Sequence, residues 1–177
     1  MKVIKTKIQD LVIVKQKNNF DKRGILRETF NNKFLKKKFI FEYCTTSKKN
    51  VLRGFHFQTK FQQSKYVNVV KGKILDVVID LRKKSKSFGK TFQIILSKDN
   101  ALGLFIPAGF AHAYYSFDNE NIIYYKLDNY YMPKFENGII YNDKELNLKW
   151  PKKRMFVSKK DKKLQTFNDF CKTSVGL

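Results

Sequence analysis

The chain contains only two histidines, and one of them has neighbours that could take part in chemistry. His56 lies in the segment VLRGFHFQ at residues 51–58, three residues after Arg53. An imidazole can act as a base near neutral pH, and a planar guanidinium suits a phosphate group, so the spacing is compatible with one pocket that holds both. The flanking Phe55 and Phe57 are equally typical of a histidine packed in a partly buried strand. The local pattern alone leaves both interpretations open.

The scarcity of histidine also argues against several other chemistries. Metal-binding β-barrels use several histidines with a carboxylate, whereas His56 and His112 each lack a second His or Cys at ligand spacing. The sequence has no G-x-G-x-x-G, G-x-x-x-x-G-K-[ST] or G-x-S-x-G motif, which removes support for dinucleotide binding, Walker-type phosphate binding and a hydrolase elbow. We therefore expect an activity that uses no metal and no cofactor.

Short strands must position these residues, because strand-like patterns dominate the chain. Runs rich in β-branched and aromatic residues occur at 66–70, 73–81, 91–96, 103–106, 113–117 and 121–127, with turn signals between them. This spacing predicts an antiparallel sandwich or barrel, and helical periodicity is confined to 29–35 and 164–170. Alternation along 74–80 places Asp76 on the same face as Val78, which leaves open whether that face lines a site or meets solvent.

Length and composition predict one β-domain over residues 1–177 with a short C-terminal tail. The chain is 42% hydrophobic, enough for a core. Cys44 and Cys171 are too few for a disulfide framework, and the run at 11–14 is too short for a signal peptide or a membrane span. These features predict a cytoplasmic protein without a membrane partner.

The chain is strongly basic, which bears on its partners. Lys plus Arg is 37 and Asp plus Glu is 15, giving a net charge of +22. Such an excess favours anionic partners, including nucleic acid or phosphorylated ligands. A compositional bias toward Lys, Asn, Ile and Phe would give the same charge without any function, so the charge alone does not identify the partner.

The segment RGFHFQ at 53–58 gives the chain a close resemblance to the dTDP-4-dehydrorhamnose 3,5-epimerase family, whose strands carry L-R-G-[LF]-H-[FY]-Q. The similarity continues through DKRG at 21–24, VVIDLRK at 77–83, IPAGFAH at 106–112 and YND at 141–143. It implies a cupin-type double-stranded β-helix, or jelly roll, that forms a homodimer and binds no metal. It also implies an epimerase that inverts carbon 3, carbon 5 or both of a nucleotide-diphosphate-linked 4-keto sugar for surface-polysaccharide synthesis.

The resemblance also assigns catalytic roles residue by residue. His56 matches the base, and Asp161 matches the carboxylate that holds its ring. Lys65 matches the lysine that stabilises the enolate. Tyr125 matches the acid that returns a proton on the opposite face of the sugar.

Further matched positions imply substrate contacts. Arg53 and Arg23 match groups that contact the diphosphate, and Tyr131 matches an aromatic that stacks on the nucleotide base. The remaining matched positions are at or near the substrate: His112, Asp76, Glu28, Glu136 and Lys160.

The chain departs from the family pattern beside the histidine motif. Phe41 and Tyr43 stand where rhamnose-pathway members carry Gln-x-Asn, and Tyr141 replaces the usual Trp of W-N-D. Aromatic side chains cannot make the amide hydrogen bonds of Gln and Asn. We therefore predict retained catalysis with altered recognition, and GDP-linked 4-keto heptoses join the dTDP-linked sugars as candidate substrates.

Three alternatives remain at this stage. A nucleotide-sugar ketoisomerase of similar fold would move the ketone, although the joint presence of the four catalytic matches argues against it. A non-enzymatic basic nucleic-acid-binding module would use aromatics between lysines, as in KKKF at 36–39. A non-catalytic sugar-binding cupin would exchange no proton. The main prediction remains the epimerase, with a nucleotide-sugar ligand and no nucleic-acid partner.

Overall fold

A computed structural model describes residues 1–151, 153–173 and 177 of the chain, and strands dominate it. The described strands are β1 (Lys2–Lys5), β2 (Val12–Lys15), β3 (Lys17–Asp21), β4 (Gly24–Glu28), β5 (Phe41–Ser47), β6 (Val51–Gln58), β7 (Lys65–Lys71), β8 (Lys73–Asp80), β9 (Thr91–Ser97), β10 (Leu102–Ile106), β11 (Phe110–Ser116), β12 (Asn121–Leu127), β13 (Glu136–Gly138) and β14 (Phe156–Val157). The described helices are α1 (Asn32–Leu35) and α2 (Phe167–Lys172), with short 3-10 turns at Pro133–Phe135 and Asp161–Lys163.

The strands form two facing sheets and a separate hairpin. The first sheet has the order β1-β2-β10-β7-β12-β5, and the second has the order β13-β6-β11-β8-β9 with β14 parallel to β6. Strands that are distant in sequence are neighbours in both sheets, as in a jelly roll. The predicted all-β, cupin-type fold with short helical pieces is therefore confirmed.

The inner faces of the two sheets enclose the main core. Val67 and Val69 of β7, Val78 of β8 and Ile123 of β12 are fully or almost fully buried there. Asp76 lies on the same face of β8 as Val78 and is also fully buried. The alternation along β8 therefore directs Asp76 into the barrel rather than into solvent.

The outer face of the second sheet is covered by the C-terminal part of the chain. Val77, Ile79 and Ala111 on this face pack in one apolar cluster with Ile139 and Phe170. The helix α2 that carries Phe170 starts with a capping box, in which the side chains of Thr166 and Asp169 each bond the other's backbone N–H. This packing fixes the segment that precedes α2, which includes Asp161.

All six strands that were predicted in the middle of the chain are present in the structure. The hairpin β3–β4 was not predicted. Its first strand reads KNNFD, which lacks the alternation of a half-buried strand. The helical segments predicted at 29–35 and 164–170 correspond to the shorter α1 and the slightly later α2. In the described part of the chain, the helices are too short or too polar to span a bilayer.

Candidate active site

His56 is held by a buried carboxylate from the C-terminal segment. Its Nε2 lies 2.9 Å from Oδ1 of Asp161, whose other oxygen accepts the backbone N–H of Gly54 at 3.2 Å. Burial alone would raise the pKa of Asp161, but the hydrogen bond and positive charge of His56, with the Gly54 and Ser158 hydrogen bonds, lower it below its usual value. Asp161 is therefore an acceptor that fixes Nε2 as the donor and leaves the lone pair of His56 on Nδ1.

A glycine beside this pair allows the strands to approach each other. Gly54 has φ of +116°, and a Cβ built there would lie 2.5 Å from the carbonyl oxygen of His112. Only glycine fits both the backbone conformation and the space. The residue type at position 54 is therefore required by the geometry that delivers its N–H to Asp161.

The second histidine forms a second carboxylate pair directly across the sheet. His112 on β11 is in register with His56 on β6, and its Nε2 lies 2.8 Å from Oδ2 of Asp76. Both His112 and Asp76 are buried, and the Oδ1 atom of Asp76 has no hydrogen-bond partner among the described residues. This pair forms the inner wall of the site.

Lys65 and Tyr125 face these histidines from the opposite sheet. Lys65 pairs with Leu127 and Val67 pairs with Tyr125, so Lys65 and Tyr125 are diagonal neighbours on the inner face. The ring centroids of Tyr125 and His112 are 6.1 Å apart, which links the two sheets. The structure therefore brings the predicted catalytic residues from three strands and the C-terminal segment to one end of the barrel.

Burial shifts the pKa of both groups on this wall. It lowers the pKa of Lys65 from 10.5 to about 8, although the negative charges of Asp76 and Glu136 oppose the change. It raises the pKa of Tyr125 well above 10, with the nearby phenols of Tyr114 and Tyr43 adding to the rise. Tyr125 is therefore a neutral proton donor, and Lys65 is an ammonium that can be deprotonated in mildly alkaline solution.

The rim of the site carries a bridged trio of predicted substrate contacts. Oε2 of Glu136 accepts hydrogen bonds from the Tyr131 hydroxyl and the Lys160 ammonium, both at 2.5 Å. Burial would raise the pKa of Glu136, but the Lys160 and Tyr131 hydrogen bonds and the charge of His56 lower it. Glu136 is thus an anion that ties the loop carrying Tyr131 to the C-terminal segment.

Two cavities open on either side of this trio. One of about 610 Å³ is lined by Arg53, His56, Arg154, Lys160 and Asp161, among others, and is rich in positive charge. The other, of about 330 Å³, is lined by Phe41, Tyr43, Gln63, Tyr131 and Glu136. A basic cavity next to an aromatic one suits a ligand with an anionic part and a planar part.

Aromatic side chains extend this second cavity toward Tyr125. Tyr43 stacks on Tyr125 with ring centroids 4.7 Å apart, and Phe41 contacts both Tyr43 and Tyr130. Phe41 and Tyr43 depart from the family pattern, but that pattern gives no sign that Tyr43 covers the predicted acid.

Sequence reasoning missed a group of hydroxyls beside Arg53. The Tyr114 hydroxyl lies 2.8 Å from the Ser47 hydroxyl and 3.1 Å from the Thr45 hydroxyl, and Arg53 Nε donates to Ser47 at 3.2 Å. The available signal was alternation along β5, which puts positions 41, 43, 45 and 47 on one face. Hydroxyl residues on a strand are too common to single out without knowledge of what faces them.

Two predicted substrate contacts do not reach this site within one chain. Arg23 lies in the turn of the β3–β4 hairpin, has 84% of its side chain exposed and pairs with Asp21 at 2.7 Å. Glu28 ends the same hairpin and accepts a hydrogen bond from Asn31 at 2.7 Å. The predicted substrate contacts Arg23 and Glu28 thus lie in a hairpin that forms its own two-stranded sheet, and their predicted role stays a prediction.

The arrangement is suited to moving protons on a bound molecule. An imidazole with a lone pair on Nδ1 and a phenol that holds its proton lie on the two facing sheets, and an ammonium lies diagonally beside the phenol. Among residues 1–151, 153–173 and 177, no group of three or more His, Cys, Asp or Glu side chains is arranged to hold a metal ion.

Comparison with known protein families gives a match over most of the chain. Residues 5–169 match the family model described as dTDP-4-dehydrorhamnose 3,5-epimerase. A dTDP-4-dehydrorhamnose 3,5-epimerase from Shigella flexneri is 39% identical over 176 residues, covering 96% of this chain and 97% of the relative.

Solved structures agree with the sequence comparison. A dTDP-6-deoxy-D-glucose-3,5-epimerase from Legionella pneumophila, in complex with dTDP-4-keto-L-rhamnose, has a TM-score of 0.90 at 34% identity and covers 94% of this chain and 93% of its own. A dTDP-4-dehydrorhamnose 3,5-epimerase from Bacillus anthracis, with TDP and PPi bound, has a TM-score of 0.89 at 35% identity and covers 93% of this chain and 98% of its own.

Proposed function

Because the chain belongs to the dTDP-4-dehydrorhamnose 3,5-epimerase family, we propose that it inverts carbon 3, carbon 5 or both of a nucleotide-diphosphate-linked 4-keto sugar. The enzyme is an isomerase that removes a proton from a carbon next to the ketone and returns one on the opposite face. The pairing of His56 with Asp161 opposite the Tyr125 phenol carries the proposal, because inversion needs a base and an acid on different sides of one ring.

His56 is the base of the proposed reaction. With Nε2 donating to Asp161 at 2.9 Å, Nδ1 has the free lone pair and takes the sugar proton. The imidazolium that results is stabilised by the adjacent carboxylate, as in other His–Asp pairs.

Lys65 stabilises the enolate that proton removal creates. The electron pair of the broken C–H bond moves toward the ketone oxygen at carbon 4, where a nearby ammonium offsets the developing charge. The partly buried position of Lys65 among the strands strengthens this interaction, because few water molecules compete for the oxygen.

Tyr125 completes the inversion. Its O–H bond breaks as a new C–H bond forms on the other face of the sugar, and the electron pair stays on the phenol oxygen. Burial, which keeps the pKa of Tyr125 well above 10, ensures that the phenol holds a proton to give at neutral pH.

The basic cavity binds the diphosphate in this proposal. Arg53 and Lys160 line that cavity, and Arg53 offers a planar set of donors to phosphate oxygens. The nucleotide base occupies the aromatic cavity, where Tyr131 stacks on it. His112 and Asp76 support the sugar end, and Glu136 contacts the nucleotide part.

A homodimer would give Arg23 and Glu28 a substrate to contact, because in a single chain neither residue lies at the site that contains His56. The hairpin β3–β4 exposes Phe20 by 71%, Ile25 by 58% and Leu26 by 69%. Apolar side chains at such exposure favour burial against another surface. The proposed partner is a second copy of this chain, whose cavity the hairpin enters so that Arg23 reaches the diphosphate.

Deuterium exchange tests the proposed reaction. The chain is incubated in deuterated water with a panel of dTDP- and GDP-linked 4-keto sugars, and the products are analysed by NMR. We expect deuterium at carbon 3, carbon 5 or both, with the ketone still at carbon 4. A ketone at another carbon would indicate a ketoisomerase, and a complete absence of exchange across the panel would indicate a binding protein without this activity.

A further inference from the structure

Three hydroxyl residues, two of them buried and one partly buried, connect Arg53 with the surroundings of Tyr125. Ser47, Tyr114 and Thr45 form what we call the hydroxyl chain. The Arg53 Nε lies 3.2 Å from Ser47 Oγ, Ser47 Oγ lies 2.8 Å from Tyr114 Oη, and Tyr114 Oη lies 3.1 Å from Thr45 Oγ1. Tyr114 projects from the second sheet, while Ser47 and Thr45 belong to β5 of the first. The hydroxyl chain therefore crosses the barrel interior.

The chemistry of arginine gives this hydroxyl chain a direction. A guanidinium has donors only, so Ser47 must accept from Arg53. The single proton of Ser47 then points to Tyr114, and the proton of Tyr114 points to Thr45. The Thr45 proton is left to donate onward, away from Arg53.

The next group in that direction is the proposed acid. Tyr43 pairs with Tyr125 and Thr45 pairs with Ile123, so Thr45 and Tyr125 are diagonal neighbours on the inner face of the sheet. Burial and the nearby Tyr114 and Tyr43 phenols raise the pKa of Tyr125, and the adjacent Thr45 hydroxyl opposes this rise. A donor placed here interacts more strongly with a phenolate than with a phenol.

We propose that the hydroxyl chain, oriented by Arg53, stabilises the phenolate that Tyr125 becomes when it protonates the sugar carbon. This inference rests on the proposed function and adds three positioning residues to it. Successive hydrogen bonds with one direction polarise each other, so the last donor is stronger than an isolated threonine hydroxyl. Within residues 1–151, 153–173 and 177, the terminal nitrogens of Arg53 make no hydrogen bond, so they can bind the diphosphate while Nε orients the hydroxyl chain.

Removal of one hydroxyl tests the proposal with little change in packing. We expect Tyr114→Phe to lower kcat for completed epimerisation about tenfold, because the Thr45 hydroxyl then loses the hydrogen bond that polarises it and directs its proton toward Tyr125. The KM is expected to stay within about twofold, and deuterium exchange initiated by His56 is expected to continue. The substrate is whichever dTDP- or GDP-linked 4-keto sugar of the panel the unaltered chain epimerises.

Tyr115→Phe provides the matched control. Tyr115 is the next residue on the same strand and is equally buried, but its hydroxyl donates to Asn50 at 2.5 Å, outside the hydroxyl chain. We expect its kinetics to equal those of the unaltered chain. Equal loss in Tyr114→Phe and Tyr115→Phe would overturn the proposal, because general destabilisation would then explain both.

A second pair of variants tests whether the hydroxyls act as one unit. Thr45→Val is expected to lose as much activity as Tyr114→Phe, whereas Thr45→Ser, which keeps the hydroxyl, is expected to retain the activity of the unaltered chain. The double variant Thr45→Val with Tyr114→Phe is expected to be no less active than Thr45→Val alone. Full activity in Tyr114→Phe, or multiplied losses in the double variant, would overturn the hydroxyl chain. Failure of the unaltered chain to epimerise any panel sugar would instead overturn the proposed function.

Discussion

The exposure of the two imidazoles distinguishes their roles at the scale of single residues. Both histidines bond a carboxylate, but the His56 side chain is 32% exposed and the His112 side chain is 5% exposed. Only an exposed imidazole can meet a sugar that enters from solvent. The geometry therefore favours His56 as the group that takes the proton and His112 as part of the supporting wall.

The difference in exposure predicts different effects when the two histidines are replaced. We expect His56→Ala to lower deuterium incorporation by at least about 10²-fold, the usual contribution of a general base. His112→Asn should retain measurable incorporation, because His112 has no access to the proton. The test is NMR of the 4-keto sugar in deuterated water. Undiminished exchange in His56→Ala would show that another group is the base.

Replacement of Tyr125 separates proton removal from proton return. Tyr125→Phe retains the ring that packs against Tyr43 and His112 but has no proton to give. We expect this variant to retain some exchange at carbon 3, through His56, without completing epimerisation. Product analysis by NMR after long incubation measures the outcome. Full turnover by Tyr125→Phe would mean that the acid is misassigned.

The pKa of Lys65 sets an expected upper pH limit for the enzyme. Burial lowers this pKa from 10.5 to about 8, so the ammonium is lost as the pH rises through about 8. We therefore expect kcat/KM to fall above that pH. Lys65→Arg retains a charge at all working pH values, and its lower activity should not show the same decline. An unchanged decline in Lys65→Arg would assign it to a different group.

At the scale of elements, the close approach of β6 and β11 depends on one position without a side chain. A methyl group at Gly54 would meet the His112 carbonyl at 2.5 Å, and the φ of +116° strains any other residue. We expect Gly54→Ala to lower the free energy of unfolding by about 1–3 kcal/mol and to reduce kcat by moving His56 from Asp161. Thermal unfolding and kinetics measure the two effects. Gly24→Ala is the control for backbone strain alone, because its φ is +133° but no atom lies within 4 Å of the added methyl group, so it should lose less stability than Gly54→Ala.

The strands could be predicted because the alternation of apolar and polar residues is a local pattern in the sequence. The pairing between strands could not be predicted, because no local pattern determines it. The period of β8 places Asp76 and Val78 together but cannot show that both faces of that strand are buried. The pairing of Lys65 with Leu127 and of His56 with His112 joins segments that lie far apart in the chain. Only the family resemblance, not spacing, could place those residues in one site before the structure.

The hydroxyl chain and the position of Arg23 were beyond sequence reasoning for different physical reasons. Ser47 and Tyr114 meet across two sheets, so no local pattern contains both. Arg23 belongs to a hairpin whose strands pair mainly with each other, and its proposed function depends on a second molecule. A single-chain pattern carries no information about either relation.

At the scale of the whole molecule, the net charge of +22 is consistent with a small anionic ligand. Arg53, Arg154, Lys160 and Lys162 gather around the basic cavity, where their combined field attracts a diphosphate. Family membership and the paired histidines favour this use of the charge, and neither favours nucleic-acid binding. The excess of lysine elsewhere contributes to solubility and to the long-range field.

The proposed homodimer predicts that two impaired variants restore activity to each other when mixed. Arg23→Ala lacks the hairpin cation and His56→Ala lacks the base, so each dimer alone is impaired. In a mixed dimer with two reciprocal sites, one site has both Arg23 and His56, and the other has neither. Random pairing of equal amounts, after reversible dissociation, should therefore restore about a quarter of the unaltered activity.

The loss in Arg23→Ala must come from Arg23 itself and not from any change in the hairpin turn. Lys22→Ala removes the neighbouring cation of the same turn and is the matched control. By itself it should have the activity of the unaltered chain, whereas Arg23→Ala should be impaired. Co-purification of two differently tagged copies establishes that the mixture contains mixed dimers. If the mixture of Arg23→Ala and His56→Ala has no more activity than the average of its components, the hairpin does not serve the partner's site, since reciprocal sites cannot all remain incomplete in a population that contains mixed dimers.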